Sequence, residues 1–248
     1  MSLPSTATRD YFYDRMVASG DWDDVTNVYE TSRRVELIFG RLLEGVPLAG
    51  ARFLDAGSGG GHFSAMAAKR GARVVSMDMG LKLLACVARR CESQRSVAST
   101  LQLPFADSAF DVVLSTEVLE HTPVPLDGVR ELARVVRPGG RLILTTPGRL
   151  WQPVVRAASA LHLRPYRGRE NFLWPESARR AVEAAGLEIE TFQGFNLLPL
   201  FHPVFDPINR RLDALGRIWP SICVNFAIRA RRPVAPQDSV DRAVSPAR

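Results

Sequence analysis

The sequence predicts an α/β fold: one domain built on a mostly parallel β-sheet with helices on both faces. From Arg52 to Pro147, short β-branched and apolar runs alternate with segments of helical composition through five repeats. Such alternation is typical of βαβ units. The 248 residues, of which 46% are hydrophobic and 23% charged, suffice for one sizeable globular domain.

Charge and cysteine content narrow the class of protein. The net charge is +6 and the pI about 9.8, but the arginines are scattered and no basic stripe is interleaved with aromatic residues, which argues against nucleic acid as a partner. Cys86, Cys91 and Cys223 show neither a metal-ligand spacing nor an even number for disulfides, so we expect a reduced, cytoplasmic protein. The sequence shows neither a signal-peptide pattern nor a run of ~18 apolar residues, so we predict no membrane segment.

The stretch RFLDAGSGGGHFSAMAAKRGARVVSMD carries the strongest functional signal. The apolar run Arg52–Gly57 predicts a strand, the glycine-rich residues 57–61 a loop almost without side chains, and Phe63–Arg70 a helix. A second strand, Arg73–Met77, ends in Asp78. This order is typical of a nucleotide-type ligand at the carboxyl edge of a parallel sheet, because glycines let the backbone approach the ligand and a helix start offers unpaired N–H groups.

The spacing of the glycines distinguishes two nucleotide classes. The dinucleotide pattern G-x-G-x-x-G requires a glycine at position 62, where this chain has His62. The observed pattern is G-x-G-x-G over residues 57–61, with Asp55 two residues before it. This combination resembles motif I of the class I S-adenosylmethionine (SAM)-dependent methyltransferases. An NAD-dependent oxidoreductase is the alternative, and His62 argues against it.

The other elements follow from periodicity and turn signals. Apolar residues at helical spacing predict a first helix over Tyr29–Leu43. The elements predicted after Asp78 are a helix Leu81–Cys91, strands Ser96–Thr100 and Phe110–Thr116, a helix Leu126–Val136, a turn at 138–140, a strand Arg141–Thr146, a helix Pro175–Ala185, a strand Leu187–Phe195, a helix Asp206–Ile218 and a last strand Ser221–Arg229.

Two longer segments extend the resemblance. LQLPFADSAFDVVLSTEVLEHTP and VVRPGGRLILTTP are similar, in order and content, to segments of the methyltransferases that resemble the ubiquinone-biosynthesis enzymes (methyltransferase type 11). The resemblance implies a three-layer α/β/α Rossmann-like methyltransferase fold. Its sheet is expected to have seven strands, mostly parallel, with the last strand pairing antiparallel at the edge.

The resemblance also implies a SAM site. The residues expected to bind SAM are Asp55, Gly57, Gly59 and Gly61 at the methionine part, Asp78 at both ribose hydroxyls, Met79 and Leu101 on the adenine faces, Thr100 at the adenine amino group and Thr116 near the sulfonium. Many relatives carry an acid where this chain has Ser99, so a hydroxyl or the backbone is expected to hold the adenine amino group. The structural alternatives are a helix-capping role for Asp55 and a turn role for Asp78.

Glu117, Glu120 and His121 admit two interpretations. If these residues begin a helix, the three side chains share one face and have the chemistry to bind a hard divalent ion, as on the E-x-x-E-H pattern of some ubiquinone-type O-methyltransferases. Alternatively, the acids favour a helix N-terminus and His121 is a general base or positioning group. We retain His121 as the catalytic candidate and assign no metal ligand.

The predicted organisation is a helical lid over residues 1–47, which includes Tyr11 and Tyr13, a methyltransferase domain over 48–231 and a disordered tail over 232–248. The apolar, proline-broken segment 195–207 is either a packed cap or part of an acceptor pocket. The predicted function is methyl transfer to oxygen or carbon of a small apolar or aromatic molecule. The alternatives are a quinone or lipid precursor as acceptor at a membrane surface, and a SAM-binding domain without activity.

Overall fold

The computed structural model describes residues 28–162, 168, 170–199 and 202–234. These residues form one seven-stranded sheet in the order β3-β2-β1-β4-β5-β7-β6. The strands are β1 (Arg52–Ala56), β2 (Arg73–Asp78), β3 (Gln94–Val97), β4 (Phe110–Thr116), β5 (Val136–Pro147), β6 (Glu188–Phe195) and β7 (Asn225–Arg231). The predicted tyrosines Tyr11 and Tyr13 lie outside the described residues.

The strand directions agree with the predicted mixed sheet. Strands β1 to β5 pair in parallel, whereas β7 is antiparallel to both β5 and β6. The expectation that the last strand lies at the edge is wrong, because β7 is inserted between β5 and β6 and β6 forms the edge. The carboxyl ends of β1, β2, β4 and β5 therefore meet at one edge of the sheet, where parallel α/β sheets bind ligands.

Helices cover both faces of the sheet. The α-helices of the described residues are α1 (Val28–Leu37), α2 (His62–Ala68), α3 (Leu81–Arg90), α4 (Pro125–Arg134), α5 (Gln152–Ala160), α6 (Pro175–Ala184) and α7 (Asp206–Gly216). A π-helical turn, Ile38–Leu42, extends α1, and 3₁₀ turns cover Leu119–His121, Arg149–Trp151, Pro203–Phe205 and Pro220–Ile222.

Alternation along the central strands places the apolar side chains in two clusters. Leu54 and Val113 belong to the cluster packed against α4 and α6, whereas Phe53, Val112 and Leu114 belong to the cluster packed against α1 and α2. Neighbouring residues of a strand point to opposite faces, so the two clusters lie on opposite sides of the sheet. The predicted three-layer α/β/α fold is confirmed.

Several predicted elements have different bounds. The first helix is α-helical only to Leu37 and continues as the π turn. The third strand begins at Gln94 rather than Ser96 and ends at Val97, since Ser99 instead forms an isolated bridge with Gln102. Helix α5 was not predicted. No helix of the described residues is long and apolar enough to cross a membrane.

The chain beyond β7 begins in contact with the sheet. The amide of Arg232 donates to the carbonyl of Gly140 at 3.0 Å, and its own carbonyl accepts from the Gly139 amide at 2.8 Å. The predicted disordered tail starts at this residue, and positions 235–248 of it lie outside the described residues.

Candidate active site

The glycine loop follows β1 at the carboxyl edge of the sheet. The amides of Gly57 and Ser58 both donate to the Met77 carbonyl, at 2.7 and 2.9 Å, which fixes the loop across the end of β2. Gly57 has a φ of 85°, and a Cβ there would lie 2.2 Å from Cγ2 of Val118. Only glycine fits this backbone conformation and this space.

Asp78, at the end of β2, is joined directly to the glycine loop. Its Oδ2 accepts from the amide of Gly59 at 2.9 Å, and its Oδ1 accepts from the amide of Gly80 at 2.8 Å. These two hydrogen bonds use two of the about four lone-pair sites that an ionised carboxylate offers. The predicted acid and the predicted loop thus form one polar rim.

Asp55 lies beneath this rim with no exposed surface. Its Oδ2 accepts from the hydroxyl of Ser64 on α2 at 2.6 Å, whereas its Oδ1 is buried and meets no hydrogen-bond partner within the described residues. Burial raises the pKa of Asp55 to about 6, and the negative charge of Asp78 adds to the rise while Ser64 opposes it. The hydroxyl of Ser58 in the loop is likewise buried without a partner.

The residues expected around an adenine differ in exposure. Met79 is 38% exposed, whereas Thr100 is only 4% exposed and Leu101 is half-buried. The hydroxyl of Ser99 accepts from the Leu101 amide at 3.2 Å. Ser99 therefore shapes the backbone of the 99–102 turn.

Two acids follow the end of β4, of which Glu117 is half-buried and Glu120 is buried. Glu117 follows Thr116 with a φ of 52°, and its carboxylate accepts from Thr145 Oγ1 at 3.0 Å and from Asn225 Nδ2 at 2.7 Å. Glu120 accepts from Thr146 Oγ1 at 3.0 Å. Burial raises the pKa of both acids.

The expected helical face of Glu117, Glu120 and His121 is not formed. The left-handed Glu117 interrupts the chain after β4, and only Leu119–His121 makes a short 3₁₀ turn. His121 Nε2 lies 3.9 Å from Glu120 Oε1, and a quarter of the imidazole is exposed. Among the described residues, no group of three or more His, Cys, Asp or Glu side chains is arranged to hold a metal ion.

Comparisons with known proteins decide the family. Residues 54–144 match the model of a methyltransferase domain. The chain is 34% identical over 166 residues to the ubiquinone biosynthesis O-methyltransferase of Aeromonas salmonicida, covering 62% of this chain and 69% of that one. It is 30% identical over 225 residues to the Marinobacter nauticus protein of the same description, covering 85% and 90%. The chain belongs to the class I SAM-dependent methyltransferase family.

Solved structures of this methyltransferase fold agree with the sheet described above. A SAM-dependent methyltransferase from Mesorhizobium loti superposes with a TM-score of 0.60 at 18% identity, covering 75% of this chain and 93% of that chain. A chain from the complex of the Haloferax volcanii Trm112 methyltransferase activator with a methyltransferase superposes with a TM-score of 0.66 at 18% identity, covering 90% and 98%. At these identities the likeness concerns the fold.

The residues of this methyltransferase fit the cofactor that its family uses. The positive φ of Gly57, Gly59 and Gly61 gives the loop a backbone conformation that residues with a Cβ rarely adopt. The buried oxygens Oδ1 of Asp55 and Oγ of Ser58 have no hydrogen-bond partner among the described residues, a situation that buried groups usually avoid.

Two polar residues at this edge were not found from the sequence. Ser64 lies one turn into the helix after the glycine loop, and its spacing of nine residues from Asp55 was the signal that could have revealed it. Asn225 contacts Glu117 across 108 residues of chain, and nothing local in the sequence indicates that contact.

Proposed function

We propose that this methyltransferase transfers the methyl group of SAM to an oxygen atom of a small aromatic acceptor, such as a phenolic quinone precursor. The observation that supports the proposal best is the hydrogen bond from the Gly59 amide to Asp78. This bond joins the acid proposed to bind the ribose to the glycine loop, at the carboxyl edge of the sheet. The relatives named above are O-methyltransferases of ubiquinone biosynthesis, which favours oxygen over carbon as the methyl acceptor.

The proposed SAM contacts lie along the polar rim that Asp78 and the glycine loop form. Asp78 accepts the ribose hydroxyls, and the backbone of the 57–61 loop lies against the methionine part of SAM. Asp55 supplies negative charge under the methionine ammonium, Met79 and Leu101 contact the adenine faces, and Thr100 lies beside the adenine amino group. Thr116 ends β4 beside the acceptor side of the rim.

SAM carries its methyl group on a sulfonium that is already activated, so the protein chiefly has to orient the acceptor. We propose that His121 accepts the acceptor's hydroxyl proton at Nε2, the atom 3.9 Å from Glu120 Oε1. Glu120 is 3% exposed and accepts from Thr146, so a negative charge on its carboxylate would favour the imidazolium that forms when His121 takes up the proton. Treatment with EDTA separates this role from metal binding, because a loss of activity that Mg²⁺ restores would assign the acids and His121 to a metal.

Helix α1 supports the proposed lid over residues 1–47. Burial raises the pKa of Glu117 and of Glu120, and the positive charge of Arg34 on α1 opposes that rise. Arg33 pairs with Asp206 at 3.1 Å and also with Asp213, which fixes α1 to α7. Tyr29 OH donates to Asp206 at 3.1 Å, so this tyrosine serves the α1–α7 contact in the structure.

Turnover tests the proposal. Purified protein is incubated with SAM and a panel of catechols and phenols, and products are analysed by mass spectrometry for the gain of one methyl group together with formation of S-adenosylhomocysteine (SAH). We expect methylation of a phenolic hydroxyl. Tight SAH binding without turnover on any acceptor would instead favour a SAM-binding domain without activity, and binding of NADH would favour the oxidoreductase alternative.

A second candidate is a quinone or lipid precursor that the enzyme meets at a membrane surface. Four large apolar side chains around α5 and before α6 are at least half exposed: Leu150 50%, Val154 53%, Leu161 69% and Trp174 54%. Exposed apolar groups of this kind favour contact with lipid. Cosedimentation with phosphatidylglycerol vesicles tests it, and a protein that stays in the supernatant contradicts it.

A further inference from the structure

A chain of buried hydroxyls lies beneath the glycine loop. Ser64 Oγ is 2.6 Å from Asp55 Oδ2 and 2.7 Å from Ser76 Oγ, and Ser76 Oγ is 3.0 Å from Ser93 Oγ. Ser64 and Ser76 have no exposed surface, whereas Ser93 is half-buried. The chain therefore runs from the acid under the loop toward the surface beside β3.

Only one oxygen of Asp55 takes part in this chain. Oδ2 accepts from Ser64, and Oδ1 is buried without a hydrogen-bond partner in the part of the chain that the structure describes. A buried carboxylate with one unsatisfied oxygen is costly. A positively charged group of a ligand bound beside the glycine loop would offset this cost. The methionine ammonium of SAM is such a group, and it is absent from the adenosyl half of the cofactor.

We propose that Ser64 is a positioning residue for cofactor binding, which holds the Asp55 carboxylate beneath the glycine loop so that its charge faces the methionine ammonium. This inference rests on the proposed SAM site. It assigns a binding role to a fully buried helix serine. Its physical basis is the hydrogen bond from a hydroxyl to one oxygen of a fully buried carboxylate, which stabilises the charged form.

The pH dependence of SAH binding gives a second test of the proposal, because it depends on the pKa of Asp55. The Ser64 hydrogen bond opposes the rise that burial and the charge of Asp78 impose on the Asp55 pKa, which is about 6. Cys91, which follows α3, also faces this carboxylate, whose charge helps to raise the thiol pKa. Removing the Ser64 hydroxyl raises the Asp55 pKa further, so the carboxylate is lost at a higher pH than in the unmodified protein.

The test compares two ligands by calorimetry. SAH carries the amino acid part of the cofactor, whereas 5′-methylthioadenosine has the same adenosyl thioether without it. For Ser64→Ala we expect SAH to bind about tenfold more weakly and methylthioadenosine to bind with unchanged affinity. The pH below which SAH affinity falls should also move upward from the unmodified protein's value, while methylthioadenosine shows no such shift.

Ser76→Ala is the matched control, because it removes a hydroxyl of the same buried chain that does not contact Asp55. It should weaken SAH binding less than Ser64→Ala does. If Ser64→Ala fails to fold, Ser64→Cys, which is closer in volume and a weaker donor, takes its place with the same expected pattern.

Three results overturn the proposal. Unchanged SAH affinity and an unchanged pH profile in the Ser64 variant would remove the positioning role while leaving the SAM site intact. Equal weakening of both ligands would show a merely structural role for Ser64. Failure of the unmodified protein to bind either ligand would overturn the proposed cofactor site, and the role of Ser64 with it.

Discussion

Replacing Gly57 by alanine tests the geometry of the glycine loop. The new Cβ would lie 2.2 Å from Cγ2 and 2.7 Å from Cγ1 of Val118, at a φ of 85°. A left-handed conformation costs a residue with a Cβ about 1–2 kcal/mol, and forcing extra volume into a packed site costs about 1–3 kcal/mol more. We therefore expect Gly57→Ala to lower the free energy of unfolding by about 2–5 kcal/mol, measured by urea denaturation.

Gly186 provides the matched control. Its φ is 81° and nothing lies within 4 Å of a Cβ built there, so Gly186→Ala bears only the conformational cost of about 1–2 kcal/mol. Adding Val118→Ala to Gly57→Ala should recover part of the lost stability by removing the overlap. Equal losses for the two single glycine variants, or no recovery in the double variant, would refute the steric argument.

Three further predictions concern the acids and the histidine. Asp78→Ala should weaken SAH binding by about 1–3 kcal/mol, the scale for losing hydrogen bonds to a charged group; unchanged affinity by calorimetry contradicts the ribose role. Burial raises the pKa of Glu117 in the folded protein from 4.5 to about 8. Between these two pH values the folded protein keeps a proton that the unfolded chain has lost, so the free energy of unfolding falls as the pH rises from one to the other. Glu117→Gln does not titrate and should flatten that fall, as measured by denaturation at several pH values; an identical slope contradicts it. His121→Ala should lower kcat about 10²–10⁴-fold, the usual scale of general base catalysis, with SAH affinity unchanged; full turnover would exclude His121 as the base.

The central part of the site could be predicted because its signals are local. The glycines at 57–61 and Asp78 lie within one βαβ unit, so their order along the chain determines their positions at the sheet edge. The strand Phe110–Thr116 is predicted with the bounds that the structure shows, because its run of seven mostly apolar and β-branched residues marks both ends of the strand.

The parts that were missed depend on contacts between distant segments. Glu117 adopts its left-handed conformation where it is bound by Thr145 and Asn225, which follow it by 28 and 108 residues, so a helical pattern read from its neighbours was misleading. The position of β7 between two other strands is likewise a property of the whole sheet.

The most direct test of the account is a crystal structure of the protein with SAH. We expect the ribose hydroxyls on the Asp78 carboxylate, the amino acid part along the backbone of the 57–61 loop and the sulfur directed toward Thr116. Density for SAH elsewhere, or a carboxyl edge closed by protein side chains at saturating SAH, would contradict the cofactor site on which the proposed methyl transfer depends.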